Sequence, residues 1–178
     1  MDALVIVDRD GVTPVSGDLV LRLRDILEVA GCRVEVVDLT PSDAAPCRGC
    51  LLCLTKHPGE CVTRDAVGSI MRRMHTDHAG AITIFVTPVR FGHPSSTIKN
   101  AIDRGCGSRD LQVFIGFDSA SEEEESTFSD LFMKHRGSAD IVHPGMDQEV
   151  QVYVAKSSDD NVRICRSLED HLSRGGRR

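Results

Sequence analysis

The sequence predicts a three-layer α/β domain, a five-stranded parallel sheet in the doubly wound order 2-1-3-4-5 with helices on both faces. Two patterns carry the prediction. Strand-like apolar runs alternate with segments whose apolar residues recur at helical spacing, and that alternation implies right-handed crossovers and parallel pairing. The run Ala81–Val86 (Ala-Ile-Thr-Ile-Phe-Val) is apolar or β-branched throughout, as in a strand buried on both faces. At 178 residues the chain can bury a full core and requires no second domain, so residues 1–173 are expected to form one unit and residues 174–178 a frayed basic tail.

Leu4–Val7 reads as the first strand. Asp18–Ala30 follows as a helix with Leu19, Leu23, Ile26 and Leu27 on one face, capped by Ser16 or Asp18 and ended by Gly31. Arg33–Leu39 is the second strand, and the cysteine-rich segment 46–63 is a loop after it. Asp65–Met74 places Val67, Ile70, Met71 and Met74 at helical spacing. After the Ala81–Val86 strand, Pro94 opens a helix reaching about Arg104. Leu111–Phe117 is the fourth strand, Ser126–His135 a helix, Val150–Ala155 the fifth strand and Asp159–Leu172 the closing helix. The acidic run Glu122–Glu125 suits a solvated loop or a helix start, and residues 138–147 match no pattern.

Composition narrows the function classes. The chain is 40% hydrophobic and 27% charged with a formal net charge of −6 and a single tyrosine, a poor match to a nucleic-acid surface. No apolar run approaches the roughly 18 residues that span a bilayer, and the first residues lack the flanks of a signal peptide. Seven cysteines without such a signal point to a reducing, cytoplasmic setting. Cys32, Cys106 and Cys165 are expected to be small packing groups.

The other four form the run Cys47-x2-Cys50-x2-Cys53-x7-Cys61. Three thiols at i, i+3 and i+6 with a fourth across a short turn suit the corners of a four-iron cluster. Structural zinc, which prefers two separated C-x2-C knuckles, and metal-free redox thiols are the rival readings. His57 and His93 read as ordinary loop histidines. Lys99 and Asp103, four apart on a helix, read as a surface ion pair.

In such a sheet ligands bind beyond the carboxyl ends of the strands, where Asp8–Gly17, Thr87–Pro94 and Asp118–Glu125 emerge beside the cysteine loop. There the residues match a family. The cysteine run with Gly59–Asp65, followed by Thr87-Pro88-Val89-Arg90-Phe91-Gly92-His93-Pro94 and a helix carrying Lys99-x3-Asp103-Arg104, resembles the iron–sulfur flavoproteins and their relatives among the NADPH-dependent FMN reductases. The resemblance covers roughly residues 1–135. It implies a flavodoxin-like fold, bound FMN, a [4Fe-4S] cluster on Cys47, Cys50, Cys53 and Cys61, a homodimer or homotetramer, and electron transfer between the two centres.

Carried onto this chain, the resemblance assigns the FMN to Arg9, Thr13, Ser16 and Gly17 after the first strand, to Pro88, Val89, Arg90, Phe91 and Gly92 after the third, and to Asp118 and Ser119 after the fourth. Two positions depart from the family. Asp8 and Asp10 bring negative charge to the phosphate loop, and Arg90 stands where an aromatic residue is usual, although a guanidinium can lie on a flavin or pair with its carbonyl. The main expectation is an FMN and iron–sulfur oxidoreductase working with NAD(P)H or a redox partner protein, with no catalytic residue singled out. The alternatives are an NAD(P)H-dependent FMN or quinone reductase without a cluster, and a non-catalytic binding domain with a structural metal and no FMN.

Overall fold

The computed structural model describes residues 1–76, 82–105, 111–142 and 149–175. Its strands are β1 (Asp2–Asp8), β2 (Arg33–Leu39), β3 (Ile82–Arg90), the two-residue β4 (His93–Pro94), β5 (Leu111–Phe117) and β6 (Glu149–Ala155). Five of them form a parallel sheet in the order β2-β1-β3-β5-β6, which is the expected 2-1-3-4-5 once β4 is set aside. β4 turns back and pairs antiparallel with the end of β3. Every residue of β5 is buried, and so is β3 up to Val89, whereas β2 at the edge leaves most of its residues exposed or half-exposed.

The helices are α1 (Pro14–Val29), α2 (Leu52–Thr55), α3 (Ala66–Thr76), α4 (Ser96–Asp103), α5 (Glu122–Val142) and α6 (Ser158–Gly175). On one face of the sheet Leu19, Leu23 and Leu27 of α1 join Ile164 and Leu168 of α6 over Val5, Ile84 and Ile115. On the other, α3, α4 and α5 bury Val67, Ile70, Ile98, Ala101, Phe128 and Phe132. Phe114 stacks between Phe85 at 5.2 Å and Phe132 at 3.9 Å between ring centres. Each such side chain contributes about 1.5–3 kcal/mol on burial, and these two layers hold the strand ends fixed.

Several boundaries differ from the sequence reading for identifiable reasons. α1 begins at Pro14, because Thr13 rather than Ser16 or Asp18 is its cap, with proline at the first helical position. β3 runs on to Arg90, because Thr87 and Pro88 remain in register with Gly116 and Phe117. α5 starts on the acidic run Glu122–Glu125, where negative side chains favour a helix N-terminus. α6 continues to Gly175 and takes in the start of the presumed tail. Cys106 and residues 143–148, and with them His143-Pro144-Gly145, lie outside the described residues. Among the described residues no helix is long and apolar enough to cross a membrane.

Candidate functional site

Two clusters lie at the carboxyl edge of the sheet. The first begins where β1 ends. Asp8 is buried and its carboxylate accepts the Asp10 N–H at 3.1 Å, winding Arg9–Gly11 into one 3-10 turn. Thr13 and Ser16 then close a reciprocal capping box, the Thr13 N–H donating to Ser16 Oγ at 2.8 Å and the Ser16 N–H to Thr13 Oγ1 at 3.2 Å. The hydroxyls expected to meet a phosphate therefore satisfy each other. Gly17 has room for a side chain, with Val12 Cγ1 as far as 3.8 Å from a Cβ placed there. A Cβ on Gly11 would come within 2.7 Å of Pro88 Cγ, so this loop lies directly on the end of β3.

The second part of this cluster is the turn joining β3 to β4. Arg90 pairs with His93, leaving Phe91 and Gly92 as a two-residue hairpin loop with φ of 53° and 76°. Two positive values match a type I′ turn, which favours Asn, Asp or Gly and strains a phenylalanine. The Phe91 side chain is 88% exposed, whereas Gly92 is pressed so close to Thr127 that a Cβ would meet it at 2.5 Å. Arg90 reaches across to the end of β5, donating to the Asp118 carbonyl at 2.9 Å and its carboxylate at 2.8 Å. Asp118 is itself left-handed, with φ of 56°. Glu124 bridges the same two loops, one carboxylate oxygen accepting the Phe91 N–H at 2.9 Å and the other the Ala120 N–H at 2.8 Å. Ser119 Oγ donates to Glu125, which also pairs with Lys156 at 2.6 Å.

Arg9, Thr13, Ser16, Pro88, Arg90, Phe91, Gly92, Asp118 and Ser119 thus sit on three neighbouring strand ends. Ser16 and Pro88 are buried there, and Val89 is fully buried as well, its side chain meeting a Cβ placed on Gly116 at 2.5 Å. Glu124 went unread as a site residue, since an acidic run shows a helix start but not which carboxylate turns back.

The second cluster is the cysteine loop. Cys47, Cys50, Cys53 and Cys61 line one cavity of about 180 Å³, together with Arg104 at the end of α4 and Met71 of α3. Among the described residues, however, no three His, Cys, Asp or Glu side chains are close enough to hold a metal ion. The expected convergence of four thiols on one centre is therefore not shown. The chain makes a wider loop, with Leu51 left-handed and Cys47 and Cys50 exposed.

Arg104 anchors that loop. Its side chain is 1% exposed and donates to Asp65 Oδ2 at 2.5 Å, to the Thr63 carbonyl at 3.1 Å and to the Ala45 carbonyl at 3.3 Å. Asp65 caps the start of α3 by accepting the Gly68 N–H at 2.8 Å. Burial pushes Asp65 up, but Arg104 and the backbone donors at Gly68 and Ala45 outweigh it and hold the carboxyl below its ordinary range. Burial likewise pushes Cys61 up, and the Thr63 backbone and Arg104 reverse it, leaving that thiol below its usual value. Cys53 is raised, first by burial and then by the negative charge of Cys61. Lys99 and Asp103 form the expected exposed ion pair. Cys32 and Cys165 are buried packing groups, burial lifting Cys165 to about 11.

Flavin fits this edge unevenly. Where the resemblance assigns the ring, a strained aromatic turn faces a second left-handed residue across fixed bridges. Where it assigns the phosphate, the chain offers the exposed Arg9 and the α1 N-terminus, where Pro14 lacks an N–H and the capping box takes that of Ser16.

No curated protein sequence matches the chain significantly. Solved structures share its fold. An NAD(P)H:quinone oxidoreductase from Methanothermobacter marburgensis superposes with a TM-score of 0.68 at 14% identity, covering 97% of this chain and 98% of that one. An FMN-dependent NADH-azoreductase from Bacillus anthracis, solved in complex with FMN, gives 0.57 at 13% identity, covering 98% and 99%. Residues 1–115, which contain the whole first cluster up to β4 and the entire cysteine loop, match the family model for NADPH-dependent FMN reductase, and the chain belongs to that family.

Proposed function

We propose that this chain is an NAD(P)H-dependent reductase that holds FMN at the ends of β1, β3 and β5 and delivers electrons to a quinone or a second flavin. Family membership supports an oxidoreductase. The observation that carries the site is the Phe91–Gly92 turn, a strained, exposed aromatic pinned by Glu124 beside the Arg90–Asp118 bridge. When bound, FMN accepts a hydride and releases electrons singly or in pairs. Arg90 supplies positive charge at the ring edge, Phe91 offers an apolar face that excludes water, and Arg9 with the α1 N-terminus meets the phosphate. The iron–sulfur step is not part of this reading. A homodimer or homotetramer, as the resemblance implies, would cover the Phe91 ring.

Titration of the purified chain with FMN and with riboflavin, followed by NADH or NADPH oxidation with a quinone acceptor, tests the reading. Saturable flavin binding with acceptor-dependent turnover is expected. A tighter hold on FMN than on riboflavin would locate the phosphate at Arg9, and loss of that difference in Arg9→Ala would confirm it. Failure of both flavins to bind would sink the reading and favour a scaffold.

A second reading has one observation in its favour: all four motif thiols line the same cavity. A four-iron cluster there would make the chain an electron carrier to a partner protein. Iron and sulfide assay of protein purified without oxygen decides it, about four irons per chain supporting the cluster.

A further inference from the structure

We infer that His93 is the proton donor to the electron acceptor at the strand-end site, which fits that site to a quinone, an acceptor that takes protons with its electrons. The inference rests on the flavin site proposed above. Strand alternation places the side chain. Val89 is buried in the layer of α4 and α5, and its cross-strand partner Pro94 is buried with it, so Arg90 and its partner His93 emerge on the opposite face of the hairpin. Pro88, two residues before Arg90, shares that face and lies against the loop after β1, where a Cβ on Gly11 would meet its Cγ at 2.7 Å. From the same face the Arg90 guanidinium reaches Asp118 after β5. His93 therefore stands beside the gap between the loops that follow β1 and β5.

Its neighbours are committed elsewhere. The charged groups on the elements about the turn are Arg90 of β3, Asp118 after β5, Glu123, Glu124 and Glu125 of α5, Lys99 of α4, Lys156 after β6, and Arg9 and Asp10 after β1. Arg90 binds Asp118, Glu124 accepts the Phe91 and Ala120 N–H groups, Lys99 pairs with Asp103, and Glu125 takes both Ser119 and Lys156. Arg9 does not give up its proton, and an ionised Asp10 or Glu123 only accepts. The His93 side chain is exposed, and among the described residues its imidazole has no hydrogen-bond partner. His57 lies in the cysteine loop, His75 at the end of α3, His135 well along α5 and His171 in α6, so none of these stands at this edge. Histidine is the side chain that both holds and releases a proton between pH 5 and 8.

The chemistry balances with NAD(P)H as reductant. A quinone becomes a hydroquinone by gaining two electrons and two protons. The hydride of NAD(P)H, relayed through the bound flavin, brings both electrons and one proton, and the second proton has to come from an acid beside the acceptor. In its charged form His93 gives a ring N–H proton to the quinone oxygen on which negative charge collects, the N–H bond breaking as the O–H bond forms. The imidazole is left neutral and, being exposed, regains its proton from water. A one-electron acceptor that takes no proton leaves His93 without a task.

The test uses the full-length chain loaded with FMN, reduced by one equivalent of NADPH and mixed rapidly with duroquinone, whose methylated ring does not add thiols, or with ferricyanide, which takes an electron and no proton. Flavin absorbance follows the reoxidation. His93→Gln should reoxidise about 100-fold more slowly with the quinone and at an unchanged rate with ferricyanide, while its FMN affinity, read by fluorescence, stays the same. In the unaltered chain the quinone rate relative to the ferricyanide rate should fall as pH rises from 5 to 8, because the proton-bearing imidazole is lost, and in His93→Gln that ratio should be flat. Adding the hydroquinone product to the oxidised flavoprotein should shift the imidazole magnetic-resonance signal that His93→Gln lacks. Equal quinone rates in the two proteins, or ferricyanide slowed as much as the quinone, overturn the inference and leave the flavin site standing. Should His93→Gln not hold flavin, the pH profile of the unaltered chain decides, and a profile without that fall overturns the inference. An unaltered chain that takes up no FMN overturns the flavin site and this inference together.

Discussion

Phe91 occupies a position that costs an L-residue about 1–2 kcal/mol relative to glycine, and among the described residues its ring is left largely uncovered. Strain retained at an exposed aromatic marks a position kept for contact with something else. Phe91→Asn should therefore raise stability in chemical denaturation by about 1 kcal/mol while lowering flavin affinity or turnover. Higher stability with unchanged turnover would remove the ring from the site. Arg104 and Asp65 give the opposite case. The carboxylate is held low, so its contribution is complete above the ordinary value of 3.8 and is lost as pH falls through the depressed folded value. Removing the guanidinium strands a largely buried carboxylate, so Arg104→Leu should cost about 3–5 kcal/mol at neutral pH. That penalty should shrink in acid as Asp65 protonates, and an equal penalty at pH 3 and pH 7 would show the pair to be energetically inert. From sequence alone, Arg90 and Arg104 were visible as residues of a recognisable motif. Asp65 and Asp118 also stood in the matched segments, but their pairing with Arg104 and Arg90 was not visible, because a pairing made across 39 or 28 residues leaves no local spacing to read.

At the level of elements, α5 is more than a covering helix. Its first turn sends Glu124 back to two backbone N–H groups, one after β3 and one after β5, so that the helix start sets the gap between the loops. Glu124→Ala removes both acceptors. The expected result is flavin binding weakened about tenfold, read by fluorescence quenching, with a stability loss of only about 1 kcal/mol because the bonds are solvent-exposed. A large stability loss without a change in affinity would recast Glu124 as a helix cap alone. The end of α1 shows why boundaries were harder to read than elements. Leu19, Leu23 and Leu27 announce the helix by their period, but the first turn is set by the reciprocal bonds of Thr13 and Ser16, and a capping box with serine at its third position lacks the usual Glu or Gln signal. β4 was illegible for a similar reason, since two residues make a strand only because the Phe91–Gly92 turn folds them back.

At the scale of the whole molecule, the alternation of apolar runs was enough to give the sheet order, because buried parallel strands and amphipathic helices leave few other ways to cover both faces. The cysteine run was legible as a cluster in sequence yet not as a ligand set, since spacing fixes how near thiols may come and not whether the loop closes on them. The family match ends at residue 115, inside β5, but the fold does not. β6 pairs with β5 along its full length, and α6 lies on α1, where the buried Asn161 amide donates to the Val15 carbonyl at 2.9 Å and to Asp18 at 3.0 Å. Both contacts stand at the start of α1, the end to which the proposed function assigns the flavin phosphate. Ending the chain at residue 148 would strip β5 of a ladder partner, turn a fully buried strand into an edge and uncover Leu19, Leu23 and Leu27. Such a fragment should lose its cooperative unfolding transition, bind an apolar dye and aggregate. The milder Asn161→Ala in the full chain should cost about 1–2 kcal/mol and, if the proposed function is right in resting the phosphate end of the site on α1, weaken FMN more than riboflavin. Equal weakening of the two flavins would place the phosphate elsewhere, and a fragment that still unfolds cooperatively would mean that the C-terminal third is an addition to a fold complete without it.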